Sequence, residues 1–152
     1  RRDGDSLRRQ FQPAGIWHAS CLTSTSRVFT NSHPICHELG KRERIKLISS
    51  GGTLERKYGC YVNPSLISQL KSLEIDLFIF SCEGIDSSGA LWDSNAINAD
   101  YKSMLLKRAA QSLLLIDKSK FNRSGEARIG HLDEVTHIIS DERQVTTSLV
   151  TA

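Results

Sequence analysis

The sequence lacks any apolar stretch near the roughly 20 residues that a membrane-spanning helix needs, which argues against an integral membrane protein. It also lacks a Cys-x-x-Cys pair, because its four cysteines are scattered at Cys21, Cys36, Cys60 and Cys82. That spacing argues against a zinc knuckle or a disulfide scaffold and indicates reduced, mostly buried thiols. Residues 1–27 have no apolar core of the kind found in signal peptides, so we expect a cytoplasmic protein.

A strong excess of charge of one sign is missing from most of the chain. The formal net charge is +3, and residues 1–27 account for all of it, with five arginines against two aspartates. Residues 28–152 are therefore neutral overall, which makes a poor surface for direct binding of nucleic acid. The length of 152 residues and the hydrophobic content of 39% fit one domain with its own core.

Hydrophobic periodicity from residue 28 onward indicates strands in alternation with helices. Continuous or alternating apolar runs predict strands over 28–32, 44–49, 76–80, 113–116 and 136–140. Helical spacing and capping residues predict helices over 33–39, 64–73 and 96–111, with one further helical turn over 131–135. Strands that alternate with helices predict an α/β domain with a mainly parallel sheet flanked by helices.

The stretch 113–121, Leu-Leu-Leu-Ile-Asp-Lys-Ser-Lys-Phe, is the most informative part of the sequence. Its four apolar residues are typical of a strand that is buried on both faces. The run then changes abruptly into charged residues, at the end of a strand where open α/β sheets usually bind their ligands. A lysine suits a phosphate there, because its ammonium is a compact point charge with three donors. The alternative is a strand end that carries solvated charges.

Polar or glycine-rich residues follow the other predicted strands too. If those strands are parallel, their ends converge on one crevice. Adjacent glycines let a backbone approach phosphate oxygens, and a carboxylate there accepts hydrogen bonds from sugar hydroxyls. No Walker motif and no Gly-x-Gly-x-x-Gly occurs, and the histidine spacing indicates neither catalysis nor a metal site. The candidate ligand residues are Asn31, Gly51, Gly52, Glu83, Gly84, Lys102, Asp117 and Lys120.

Several short motifs occur in one order along the chain. They are Thr30-Asn31-Ser32, Gly51-Gly52, Glu83-Gly84-Ile85-Asp86 followed by Gly89, Lys102, Asp117-Lys118-Ser119-Lys120-Phe121, and Ser140-Asp141. In this order and spacing, residues 28–152 resemble the C-terminal effector-sensing domain of DeoR-type transcriptional regulators. The resemblance implies a fold like that of ribose-5-phosphate isomerase and glucosamine-6-phosphate deaminase, without catalysis and without a cofactor.

The resemblance also implies roles for single residues. Lys120 corresponds to a phosphate-contacting lysine and Lys102 to a second basic position, while Asn31, Glu83 and Gly84 would line the sugar. The implied effector is a sugar phosphate, with L-fuculose 1-phosphate as the specific candidate, and the implied role is activation of a sugar-catabolic operon such as that for L-fucose. DNA would be contacted only through a helix-turn-helix that these residues do not contain, and the intact protein would be a homo-oligomer.

The sequence is also compatible with two other classes of function. An isomerase or deaminase of the same fold would use Glu83 or Asp117 as a base on a sugar phosphate. A pure oligomerisation module would bind no ligand, and its melting temperature would not respond to sugar phosphates.

The first 27 residues depart from the family pattern. DeoR-type sensing domains begin with an apolar strand that ends in Asp, followed by a phosphate loop rich in Ser and Thr, and residues 1–27 contain neither feature. A back-translation of residues 1–9, read from the second base, gives such a strand. We therefore expect that residues 1–27 are an out-of-frame reading or a disordered segment, and that residues 28–152 are a truncated sensing domain without its first strand.

Overall fold

A computed structural model describes residues 26–141 of the chain, and these residues divide into two units. The described part of the first unit covers residues 26–71, and that of the second covers residues 72–141. No helix among the described residues is both long enough and apolar enough to cross a membrane.

The first unit begins with a parallel pair of strands. Strand β1 (Ser26–Thr30) pairs with β2 (Ile45–Ser49), and helix α1 (His33–Leu39) forms the crossover between them. A parallel pair requires such a crossover, since a tight turn can join only antiparallel strands. The two strands and the helix confirm the predictions for residues 28–32, 33–39 and 44–49 to within two residues at each end.

Helix α1 begins where the sequence provides a cap. The Ser32 hydroxyl accepts a hydrogen bond from the backbone N–H of Ile35 at 3.4 Å, and Pro34 occupies the first turn. Proline is favoured there because its fixed φ suits a helix and its missing N–H would have no partner. Leu39 is the buried residue that anchors the other end of the helix.

A short antiparallel hairpin completes the strands of the first unit. It consists of β3 (Thr53–Glu55) and β4 (Cys60–Val62), and helix α2 (Leu66–Lys71) follows it. The hairpin was not predicted, because each strand has only three residues and β3 is exposed along its whole length. Gly52 leads into the hairpin with φ of 99°, and a Cβ at this position would lie 2.3 Å from the Val62 carbonyl oxygen.

The second unit contains one parallel and one antiparallel sheet of three strands each. In chain order its elements are β5 (Leu77–Phe80), β6 (Gly84–Ile85), β7 (Ala90–Asp93), α3 (Ala96–Arg108), β8 (Gln111–Ile116), β9 (Ala127–His131) and β10 (His137–Ser140). The parallel sheet has the order β10-β8-β5, with β8 in the centre. The antiparallel sheet has the order β6-β7-β9.

The central strand β8 confirms the prediction made from residues 113–116. Leu114, Leu115 and Ile116 are buried, while Leu113 is only half-buried. A strand in the middle of a parallel sheet is covered on both faces, which explains the unbroken apolar run. The two neighbouring strands confirm the predictions for residues 76–80 and 136–140.

Helix α3 ends three residues before its predicted end. The Asn95 side chain caps it by accepting the backbone N–H of Asn98 at 3.1 Å. At the other end, the backbone N–H groups of Ala110 and Gln111 donate to the carbonyls of Ile75 and Asp76, so the chain turns into β8 instead of continuing the helix. Tertiary hydrogen bonds therefore override the helical spacing of the sequence at this end.

The hydrophobic core of the second unit is formed by apolar residues of α3 and of both sheets. Leu91 and Leu114 are completely inaccessible to solvent. Each such leucine contributes roughly 1.5–3 kcal/mol by its burial. The buried cluster consists of Phe80, Cys82, Ile85, Leu91, Ala99, Leu106, Leu114, Ile116, Ile129 and Val135.

The architecture confirms the predicted α/β class. The parallel pairings β1–β2 and β5–β8–β10 accompany antiparallel pairings that were not predicted, so the sheets are mixed. The resemblance to the fold of sugar-phosphate isomerases and deaminases stays a prediction. The expectations for residues 1–27 stay predictions, because residues 1–25 lie outside the described part of the chain. Ser26 and Arg27 belong to β1.

Candidate functional site

In the first unit, the predicted residues follow the adjacent carboxyl ends of β1 and β2. Thr30 lies opposite Ser49, and the Ser50 N–H donates to the Thr30 carbonyl at 3.0 Å. Asn31 and Gly51 therefore leave the sheet at the same edge. A Cβ on Gly51 would meet nothing within 4 Å, so its backbone is open, whereas Gly52 packs against the hairpin.

In the second unit, the carboxyl ends of the three parallel strands come together. Residues 81–84 follow β5, residues 117–120 follow β8, and Asp141 follows β10. The Asp141 carboxylate accepts the backbone N–H of Lys118 at 2.8 Å, which connects the ends of β10 and β8. The prediction that strand ends converge is confirmed for β5 and β8, and the end of β10 joins them. The convergence of these ends with those of the first unit stays a prediction.

Asp117 organises the turn that follows β8. Its carboxylate accepts the N–H of Ser119 at 2.9 Å and also the Ser119 hydroxyl, and a 3₁₀ turn then covers Lys118–Lys120. These hydrogen bonds, first the one from the Ser119 hydroxyl, hold the pKa of Asp117 below its usual value. The ionised side chain thus supports the turn that presents Lys120.

Lys120 and Glu83 form an ion pair across the two strand ends. The Lys120 Nζ lies 3.1 Å from Glu83 Oε1, and the Arg123 guanidinium lies 3.9 Å from the same oxygen. The side chains of Lys120, Glu83 and Arg123 are 25%, 38% and 51% exposed, so a solute can reach all three. The structure therefore brings two predicted residues together and adds Arg123, which sequence reasoning missed.

Lys102 lies deeper and already has two partners. Its Nζ is 2.5 Å from Asp93 Oδ2 and 2.8 Å from the carbonyl oxygen of Ser81. The Asp93 side chain is only 8% exposed and that of Lys102 is 24% exposed. The resemblance implies a second basic ligand position at Lys102, whereas the structure places this lysine against a buried carboxylate. Asp93 was missed because its strand, β7, was not predicted.

Gly84 lets the loops that follow β5 and β8 pack closely, because it has no side chain. A Cβ at this position would lie 2.4 Å from the carbonyl oxygen of Arg123. The Arg123 N–H donates to the Ile85 carbonyl at 3.0 Å, and Ile85 forms a parallel bridge with Phe121. The glycine is required for this close approach, and the backbone around it fixes where Glu83 and Arg123 stand.

Asp86 stabilises the turn between β6 and β7. Its carboxylate accepts the Ser88 hydroxyl at 2.6 Å, the Trp92 indole N–H at 2.8 Å and the backbone N–H groups of Ser88 and Ala90. These bonds, first that from Ser88, hold the pKa of Asp86 far below its usual range. Gly89 has φ of 88° in the same turn. The Glu-Gly-Ile-Asp motif therefore combines two loop-building residues with the accessible Glu83.

Cys82 lies beneath the charged groups and is expected to be unreactive. It is 7% exposed, and burial raises the pKa of its thiol to about 11 although Lys102 and Lys120 oppose the shift. At pH 8 only about one thiol in a thousand would be ionised, and the thiolate is the reactive form. We expect iodoacetamide to modify the half-buried Cys36 of α1 much faster than Cys82, as measured by peptide mass spectrometry.

The reaction in urea is the control for this prediction. Unfolding should bring the alkylation rate of Cys82 up to that of Cys36, because both thiols are then in water. Equal rates for the two cysteines in the native protein would contradict the burial of Cys82.

Neither a metal site nor the cavity between α3 and β9 involves the predicted ligand residues within residues 26–141. Among the described residues, no group of three or more histidine, cysteine, aspartate or glutamate side chains is placed to hold a metal ion. A polar cavity of about 310 Å³ lies between α3 and β9, and none of the predicted ligand residues lines it.

Comparison with known proteins places these residues in a family. The sequence model of the DeoR C-terminal sensor domain matches residues 17–142 of the chain. The chain belongs to the DeoR family. The matched model describes a sensor domain, and it gives no support to the interpretation as an isomerase or deaminase.

Individual DeoR-family relatives agree with this assignment. The L-fucose operon activator of Escherichia coli (strain K12) is 98% identical over 126 residues, which cover 83% of this chain and 52% of the relative. The L-fucose operon activator of Haemophilus influenzae is 34% identical over 114 residues, 75% of this chain and 46% of the relative. The glycerol-3-phosphate regulon repressor of Escherichia coli (strain K12) is 25% identical over 129 residues, which cover 85% of this chain and 51% of the relative. The chain spans about half the length of these relatives.

Proposed function

We propose that the chain is the effector-binding part of a transcriptional regulator of sugar catabolism, and that it binds a phosphorylated sugar at the strand ends of the second unit. The observation that carries the proposal is the position of Lys120. Its ammonium lies at the end of the central strand, is accessible to solvent, and has a second cation, Arg123, beside it. A cation at the carboxyl end of a parallel strand is well placed to bind an anionic ligand.

The remaining predicted residues have supporting roles in the proposal. Lys120 contacts the phosphate, and Lys102 contributes positive charge from a position that it shares with Asp93. Glu83 and Gly84 line the part of the site that binds the sugar. Asp117 stabilises the turn that presents Lys120. In the first unit, Asn31, Gly51 and Gly52 stay predicted ligand residues, supported by the open backbone at Gly51.

L-fuculose 1-phosphate is the effector that we propose. Two relatives are named for activation of the L-fucose operon, and one of these is nearly identical in sequence to this chain. Another relative is named for a glycerol-3-phosphate regulon, and that compound too carries a phosphate. We further propose that the intact regulator is a cytoplasmic homo-oligomer that activates transcription, and that effector binding stabilises one of its conformations by differential affinity.

Incubation of the chain with sugar phosphates tests the proposal. L-fuculose 1-phosphate and glucosamine 6-phosphate are added separately, binding is followed by calorimetry, and products are sought by mass spectrometry. We expect saturable binding of L-fuculose 1-phosphate without a product. Turnover of either compound would overturn the proposal in favour of an enzyme. Absence of binding, with an unchanged melting temperature, would overturn it in favour of an oligomerisation module.

A further inference from the structure

The carboxylate of Glu83 lies where an anionic ligand would bind. Its Oε1 atom is 3.1 Å from Lys120 Nζ and 3.9 Å from Arg123 Nη2, so one oxygen faces both cations. These two cations and this carboxylate carry a net charge of +1, and the ionised Asp117, which also interacts with Lys120, balances it. An anionic ligand would therefore bind here by taking the place of the Glu83 carboxylate.

The ion pair is not needed to hold the two loops together. The backbone bond from Arg123 N–H to the Ile85 carbonyl, the Ile85–Phe121 bridge and the close packing of Gly84 already join them. The charged side chains lie outside this backbone contact and are partly exposed. An exposed ion pair contributes little to stability, so its partners can separate at small cost.

The second lysine near the strand ends differs in this respect. Lys102 is bonded to a carboxylate that is 8% exposed and to a main-chain carbonyl. Exchange at Lys102 would leave the Asp93 charge buried without a partner, which is costly. Of the two predicted lysines, Lys120 is therefore the one whose partner is exchangeable.

We propose that Glu83 is an internal competitor of the ligand: it neutralises Lys120 and Arg123 in the empty domain, and the phosphate group of the effector displaces it. This inference rests on the proposed function, and it adds Arg123 as a phosphate-binding residue. A dianionic phosphate attracts the two cations more strongly than one carboxylate does and offers more acceptor oxygens. The displaced Glu83 adjoins Gly84 and the buried Ile85, so the exchange acts directly on the start of β6.

This role for Glu83 departs from that of a sugar ligand given under the proposed function, and the two roles differ in the sign of one effect on binding. If Glu83 binds hydroxyl groups of the effector, its removal weakens binding of the sugar. If Glu83 competes with the phosphate, its removal strengthens binding of phosphate itself. Inorganic phosphate carries no sugar hydroxyls, and it therefore isolates the competition.

The test is a titration of the full 152-residue chain with inorganic phosphate, followed by NMR on the Arg123 side-chain N–H signal. We expect Glu83→Gln to bind phosphate about two- to fivefold more tightly than the unchanged chain, the range that corresponds to loss of an exposed ion pair. Glu126→Gln is the matched control, because Glu126 is exposed and makes no ion pair among the described residues. Adding Arg123→Gln to Glu83→Gln should weaken phosphate binding again.

The outcomes separate this inference from the proposed function. Equal or weaker phosphate binding by Glu83→Gln would overturn the inference, and so would the absence of phosphate binding by both proteins. An equal gain for Glu126→Gln would overturn it too, because the effect would then come from net charge alone. None of these results would contradict the proposed function, which depends on binding of the sugar phosphate by the unchanged chain.

Discussion

Replacing Lys120 with methionine should lower the affinity of the chain for a sugar phosphate by about ten- to a hundredfold. A hydrogen bond to a charged group is worth about 1.5–3 kcal/mol, and each 1.4 kcal/mol changes affinity about tenfold. Methionine keeps an unbranched side chain that is one atom shorter, and it removes the charge and the donors. Isothermal titration with L-fuculose 1-phosphate measures the effect.

The adjacent lysine provides the control for this substitution. Lys118 is exposed in the same 3₁₀ turn. Its backbone N–H donates to Asp141 and its carbonyl accepts from Phe121, whereas its side chain has no partner among the described residues. Lys118→Met should therefore reduce affinity by less than about twofold through the loss of a distant charge. Equal losses for the two variants would show that the overall charge of the turn, and not the position of Lys120, determines binding.

Replacing Asp93 with asparagine should destabilise the second unit by about 3 kcal/mol. Removal of one member of a buried ion pair leaves the other charge without a partner, at a cost of about 3–5 kcal/mol. We expect the lower end, because the Lys102 side chain is 24% exposed and can partly reach water. Chemical denaturation followed by circular dichroism gives the free energy of unfolding.

Two further variants make this prediction specific. Asp133→Asn is the matched control, because the Asp133 side chain is 77% exposed and His131 is its one ionic partner within residues 26–141. Its loss should therefore cost about 1 kcal/mol or less. The double variant Asp93→Leu with Lys102→Met should recover much of the lost stability, since no unpaired charge remains. If Asp93→Asn unfolds at the same denaturant concentration as the unchanged chain, the buried pair is not a structural contact.

The strands that were predicted all belong to parallel pairs, and the central one gave the clearest signal. Apolar runs such as 113–116 are continuous because a central parallel strand is covered on both faces, and such runs are visible in a sequence. The strands that were missed, β3, β4, β6, β7 and β9, all belong to antiparallel pairs. Three of them have only two or three residues, which is too few for any periodicity. The other two are positioned by pairing between residues that are distant in sequence, such as Ala90 and His131.

The site could be predicted in part for the same reason. Glu83 and Lys120 were predicted as candidates because polar residues that follow buried parallel strands meet at one sheet edge, and they form an ion pair there. Asp93 and Arg123 were missed, because their partners are set by the antiparallel sheet and by the backbone contact at Gly84. The ion pair of Lys102 was missed together with Asp93, since the strand that carries Asp93 was not predicted.

Lys102 and Lys120 differ in the exposure of the carboxylates with which they pair. Lys102 is held by a buried carboxylate and contributes to the fold, whereas Lys120 is held by an accessible one and is open to exchange. Cys82 lies near both lysines and is protected by burial. The proposed function therefore depends on Lys120 and on the accessible groups around it.

Binding of L-fuculose 1-phosphate compared with L-fuculose is the most direct test of the claim that this domain recognises the phosphate group. Both compounds are titrated into the full chain and into Lys120→Met by calorimetry. We predict that the phosphate ester binds at least about tenfold more tightly than the free sugar, and that Lys120→Met removes most of that difference. Equal affinities of the unchanged chain for the two compounds would contradict the claim.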